Sequence, residues 1–184
     1  MRSIKNYKEL FIIIILSFFA IKPLFIEGFF PMHDDTQVAR VFEMGKALKD
    51  GMFPVRWVPD LGYGYGYPIF NFYAPLSYYI GSFFMVFGFD ALLATKIMMG
   101  MAIILSGIFM YLLAKELFGK LGGVISALFY LYAPYHAVDI FVRGDVAELF
   151  AYAFIPLVFY SLFMIYKYQK WRFVVIGSLG YSAI

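Results

Sequence analysis

A chain of 184 residues that is 63% hydrophobic and only 15% charged cannot clothe a soluble globule, whose composition usually includes about 25% charged residues. Its net charge of +3 is too small to argue for a nucleic-acid partner and falls near the ends of apolar runs, where it bears on orientation in a bilayer. The absence of cysteine excludes disulfides, thiolate catalysis and cysteine metal sites.

The first apolar run covers residues 10–26, behind the basic residues Arg2, Lys5 and Lys8. No small-x-small cleavage site follows it, so it reads as a retained membrane helix rather than a signal peptide. Its N-terminus belongs in the cytoplasm under the positive-inside rule. Residues 27–90 then form a long external loop. Within it, residues 36–50 carry an amphipathic helical pattern, with Val38, Val41, Phe42 and Leu48 toward the apolar side and Gln37, Arg40, Glu43, Lys46 and Lys49 toward water. His33, Asp34 and Asp35 precede this helix, where a carboxylate can cap orphan backbone N–H groups. Residues 57–75, WVPDLGYGYGYPIFNFYAP, are turn punctuation without the strand a phosphate-binding glycine loop requires. There Tyr63, Tyr65 and Tyr67 either offer aromatic faces to a sugar or lipid head group or form a plain interfacial turn.

Residues 74–87 make a short interfacial or re-entrant segment. Crossings are expected at 91–113, 121–135 and 149–166, and residues 174–184 read as the start of a truncated further span, so the chain reads as an N-terminal fragment of a longer one. This arrangement leaves Lys115, Lys120, Lys167, Lys170 and Arg172 cytoplasmic. It also puts the two acidic stretches, residues 33–35 and 136–148, on the external side. The second stretch holds His136, Asp139, Arg143, Asp145 and Glu148. Its bland reading is an Asp139–Arg143 salt bridge with Asp145 capping the last span; its functional reading is a wet cavity lined by ionisable groups.

An acidic pair after the first span, Tyr73-Ala74-Pro75-Leu76, Leu117-Phe118-Gly119-Lys120, Ala133-Pro134, and Arg143-Gly144-Asp145 through Glu148 together resemble the integral-membrane glycosyltransferases of the GT-C class. The layout is similar to the catalytic subunit of oligosaccharyltransferase and the protein O-mannosyltransferases. It most resembles the prokaryotic membrane family labelled 6-pyruvoyl-tetrahydropterin synthase-related, with its YfhO-like relatives. The resemblance implies an all-α polytopic membrane protein of a prokaryotic plasma membrane, forming the N-terminal part of a GT-C-like helical bundle with interfacial helices in the first external loop. It implies transfer of a sugar from a polyprenyl-phosphate-linked donor to an acceptor on the external face.

In that chemistry Asp34 or Asp35 is the catalytic base. Arg143, or Arg56 beside Trp57, holds the phosphate, and Tyr65 adds an aromatic face. Asp35, Asp145, Glu148 and His33 are the candidate ligands for a divalent cation, Mg²⁺ or Mn²⁺. The acids are adjacent here, whereas the oligosaccharyltransferase pattern is Asp-x-Asp, so metal use stays open. The rival reading is a non-enzymatic membrane protein: a transporter or flippase fragment, or an assembly partner.

Overall fold

The computed structural model describes residues 7–29 and 31–184. Arg2 and Lys5 of the N-terminal basic group lie outside the described residues. Within them every regular element is helical, and the connecting segments carry one isolated bridge between Val58 and Tyr67. Helix α1 (Tyr7–Ile21) ends in a 3-10 turn, Lys22–Phe25. Helices α2 (Gln37–Lys49) and α3 (Leu76–Val86) follow, then the long α4 (Ala91–Leu131) and the short α5 (Pro134–Val138). A π-helical turn, Asp139–Arg143, leads into α6 (Val146–Tyr168) and α7 (Trp171–Ser182).

Two helical stretches, Ala91–Arg143 and Val146–Tyr168, are long and apolar enough to cross a membrane. The first is not one rod. Gly119 adopts φ 73° and ψ −177°, which no helix contains. A β-carbon added at Gly107 would lie 2.8 Å from Leu131, and one at Gly123 would lie 2.9 Å from Tyr111. Residues so distant along a straight helix cannot touch, at 1.5 Å of rise per residue. The chain therefore reverses at Gly119, and residues 91–118 and 120–131 form an antiparallel hairpin. Gly107 and Gly123 let its limbs approach closely, the role small residues take between membrane helices.

Helix α1 lies along this hairpin. Glu9 pairs with Lys120 at 2.8 Å near the turn, the Tyr132 hydroxyl donates to the Leu16 carbonyl, and Lys96 donates to the Ile26 carbonyl at 2.7 Å. Helix α6 packs on α4, with Lys167 paired to Glu116 at 3.0 Å. Glu9, Glu116, Lys120 and Lys167 thus mark one end of the bundle. His33, Asp34, Arg143 and Asp145 mark the other.

Helices α2 and α3 lie across α4, where Val41, Met44, Tyr78, Met98 and Met99 are buried together. At Gly81 a β-carbon would meet Val41 at 2.8 Å and Met98 at 3.3 Å, so this crossing has no room for a side chain. The orientation expected for α2 holds for Val41, which is buried, and Lys49, which is exposed, but fails at others. Gln37, Arg40 and Glu43 point inward, at 0%, 8% and 4% exposure, while Phe42 is exposed. Period-3.6 reasoning assigns polar residues to water, and it fails at these positions because the inner face of α2 carries a polar network beside its apolar contacts through Val41 and Met44.

Candidate functional site

The acidic loop after α1 and the turn before α6 are joined by their backbones. The N–H groups of His33 and Asp34 donate to the carbonyls of Val142 and Arg143, at 2.8 and 2.9 Å. Gly144 makes the junction possible. It sits at φ 72°, and a β-carbon there would lie 2.1 Å from the Met32 sulfur. Gln37 locks the contact from α2, its Nε2 donating to the Gly144 carbonyl at 2.7 Å and to Asp34 Oδ2 at 2.8 Å.

Asp34 is the hub of this junction. Its Oδ2 also pairs with Arg40 at 2.8 Å, and its Oδ1 accepts from the Thr36 hydroxyl at 2.9 Å. Arg40 reaches the Tyr78 hydroxyl at 3.2 Å, which in turn donates to Gln37 Oε1 at 2.8 Å. The guanidinium lies over the Tyr73 ring, 4.2 Å from its centroid. Burial pushes the Tyr78 hydroxyl up to about 12 despite the nearby Arg40, so it stays protonated as a donor. Capping is not the role of either acid: Thr36 is the N-cap residue of α2 and makes no side-chain cap bond.

Arg143 faces the junction from the π turn. Its guanidinium is shared by Glu148 at 2.5 Å, Asp139 at 3.2 Å and Asp145 at 3.8 Å, and it donates to the Tyr135 hydroxyl at 3.0 Å. Tyr135 also donates to Glu148. Asp145 caps α6 as well, accepting from the N–H groups of Ala147 and Glu148 at 3.0 and 3.1 Å. Asp139 is 1% exposed, and its Oδ2 has no hydrogen-bond partner. Burial, reinforced by Glu148 and Asp145 and opposed by Arg143, pushes its carboxyl up to about 7.

His33, Asp34, Tyr73, Arg143 and Asp145 together line an open cavity of about 250 Å³ at this end of the bundle. The other expected site residues are not gathered there. Asp35 is exposed and outside the lining. Arg56 is exposed and donates to Asn71 at 2.9 Å, and Trp57 and Tyr65 stand on the hairpin closed by the Val58–Tyr67 bridge, Tyr65 at 88% exposure. The expected cation ligands Asp35, Asp145, Glu148 and His33 are only partly brought together, with His33 and Asp145 on the cavity and Asp35 and Glu148 outside its lining. Asp145 is committed to the α6 cap and Glu148 to Arg143 and Tyr135, and among the described residues no three His, Asp or Glu are grouped to hold an ion. Nor does Arg143 present a bare fork to a phosphate, because three carboxylates already surround it.

The sequence pattern did not single out Gln37, Arg40, Tyr73 or Tyr78 as site residues. Asp34 and Gln37 are three apart, but Asp34 precedes the first turn of α2, so helical spacing does not predict their contact. No family model matches the chain, and no solved structure matches it. It is similar to an uncharacterised protein of Lactococcus lactis subsp. cremoris (strain MG1363), 22% identical over 185 residues. That match covers 97% of this chain and 30% of the relative, so the chain spans less than a third of the relative's length.

Proposed function

We propose that the cavity at the Asp34–Arg143 junction is the acceptor site of a membrane glycosyltransferase of GT-C-like architecture, using a polyprenyl-phosphate-linked sugar at the external face. The observation that carries this reading is the hydrogen bonding of Asp34. A carboxylate offers about four lone-pair positions, and Thr36, Gln37 and Arg40 take three of them. The remaining position on Oδ1 belongs to a side chain that lines the cavity, held in one direction by its neighbours.

In the proposed step the acceptor hydroxyl gives its proton to Asp34 as its oxygen bonds to the anomeric carbon of the sugar. The bond from that carbon to the phosphate oxygen breaks, and the lipid phosphate departs with the electron pair. Arg143 on the cavity wall receives the phosphate by exchanging Glu148 for it, keeping Asp139, Asp145 and the Tyr135 hydroxyl as its other partners. Tyr73 supplies the aromatic wall a sugar ring packs against.

The assay is transfer of radiolabelled sugar from its polyprenyl-phosphate donor in membranes carrying the chain. Asp34→Asn retains the Thr36 acceptor bond but loses the base, and is expected to abolish transfer. Wild-type turnover by this variant sinks the proposal. A second reading, a scaffold without chemistry, is favoured by the saturation of Arg143 with internal partners. It predicts no transfer by the wild-type chain and an Asp34→Asn effect confined to stability.

A further inference from the structure

A second concavity shares no lining residue with the acidic cavity. It is a groove of about 340 Å³ between α1 with its 3-10 turn and the first limb of α4. Leu93, Ile97, Met101 and Ile104 form one wall, and Ile21 and Phe25 the other. From Leu93 to Ile104 the groove follows α4 for about 16 Å, at 1.5 Å per residue. Gly100 is its floor: a β-carbon there would point at Leu24 and Ile21 from 3.6 and 4.0 Å, so the missing side chain leaves the space open.

Lys96 is the one charged residue in the lining. It is half-buried, and its ammonium donates to the Ile26 carbonyl at 2.7 Å. No carboxylate pairs with it among the described residues, a state it shares with Lys22, Lys49, Lys115 and Lys170, but of these Lys96 alone lines the groove. An ammonium beside an apolar trough is costly without a counter-charge. It sits about a turn and a half from the N-terminus of α4, the depth at which a lysine snorkels toward lipid phosphates.

We propose that this groove binds one hydrocarbon chain of a phospholipid carrying a single negative charge, with its phosphate on Lys96. One unpaired ammonium matches the one charge of a phosphodiester, and a straight apolar trough matches an extended chain. Because the groove and the acidic cavity share no lining residue, the occupant is a resident bilayer lipid rather than the reacting donor. The inference rests on α1 and α4 lying in a bilayer and is independent of glycosyl transfer.

The test is native mass spectrometry of the chain in detergent, offered phosphatidylglycerol or phosphatidylcholine with matched acyl chains. The wild type is expected to retain one phosphatidylglycerol with a preference of roughly fivefold, the size of one lysine–lipid attraction at a membrane surface. Lys96→Gln is expected to remove the preference and Lys96→Arg to keep it. Gly100→Leu fills the floor and is expected to expel both lipids while circular dichroism shows the helices intact. Undiminished preference in Lys96→Gln, retention by Gly100→Leu, or displacement by a polyprenyl phosphate at equal mole fraction would overturn the proposal. Carbonate extraction of membranes separately reads whether the chain resides in the bilayer.

Discussion

The backbone N–H of Asp34 donates to the carbonyl of Arg143 at 2.9 Å, binding the loop that follows α1 to the turn that opens α6. This bond, more than any side-chain pair, defines the acidic end of the bundle. It fixes the Asp34 carboxylate and the Arg143 guanidinium on two walls of one cavity before any ligand arrives.

Removing the Asp34 charge strands Arg40, which is 8% exposed and has Asp34 as its ion-pair partner. Breaking a largely buried pair from one side costs about 3 kcal/mol. Asp34→Asn should therefore lower the thermal unfolding temperature in detergent markedly, and Asp34→Asn with Arg40→Met should regain much of the loss. Additive effects in the double variant would show that the pair is not coupled.

Gly144 is the narrowest point of the junction. Alanine there meets both a left-handed φ of 72° and the Met32 sulfur at 2.1 Å. The strained backbone alone costs about 1 kcal/mol, and the clash adds a displacement of the loop carrying Asp34. Gly144→Ala should speed exchange of the Asp34 amide hydrogen, which the Arg143 carbonyl protects, and Met32→Ala should partly restore protection. Unchanged exchange in Gly144→Ala would show that the junction has room to spare.

Asp139 supplies a pH dependence whose sign follows from its surroundings. Its carboxyl is pushed up to about 7, so the folded chain holds that proton more tightly than the unfolded chain does. The resulting stability is full below the ordinary carboxylate range and is lost as pH rises toward and through 7. Arg143 opposes the shift, while Glu148 and Asp145, both within reach of Arg143, sustain it. Relative to wild type, Asp139→Asn should remove the part of the decline in unfolding temperature between pH 5 and 8 that this carboxyl causes. Parallel curves would assign the decline to other groups.

The all-helical class was legible in the sequence because long apolar runs broken by glycine and proline leave few alternatives. The meeting of the two acidic stretches was legible only in part. Both were expected at one end, and Asp34, Arg143 and Asp145 do line one cavity, but Asp35 stands apart from it. Adjacent residues at the start of a helix point in different directions, and nothing in an Asp-Asp pair says which one turns inward. The inward face of α2 was misread for a related reason: besides the neighbouring Asp34, Gln37 and Arg40 serve Gly144 and Tyr78, partners that are remote in sequence. Periodicity distinguishes apolar from polar faces, and it is silent when a buried face is polar.

The two ends of the bundle carry opposite chemistry, and this makes their placement testable. Lys120 and Lys167 lie at the Gly119 turn with their partners Glu9 and Glu116, while Asp34, Asp139 and Asp145 lie at the other end. Basic residues are retained on the cytoplasmic side during insertion, so the acidic cavity should open to the exterior. The chain has no cysteine, so single cysteines report without background. A cysteine at the exposed position of Asp35 should react with an impermeant maleimide on intact cells, and one at Tyr168 should react only after the membrane is opened. The reverse pattern would turn the cavity toward the cytoplasm, and an acceptor on the external face could no longer reach Asp34.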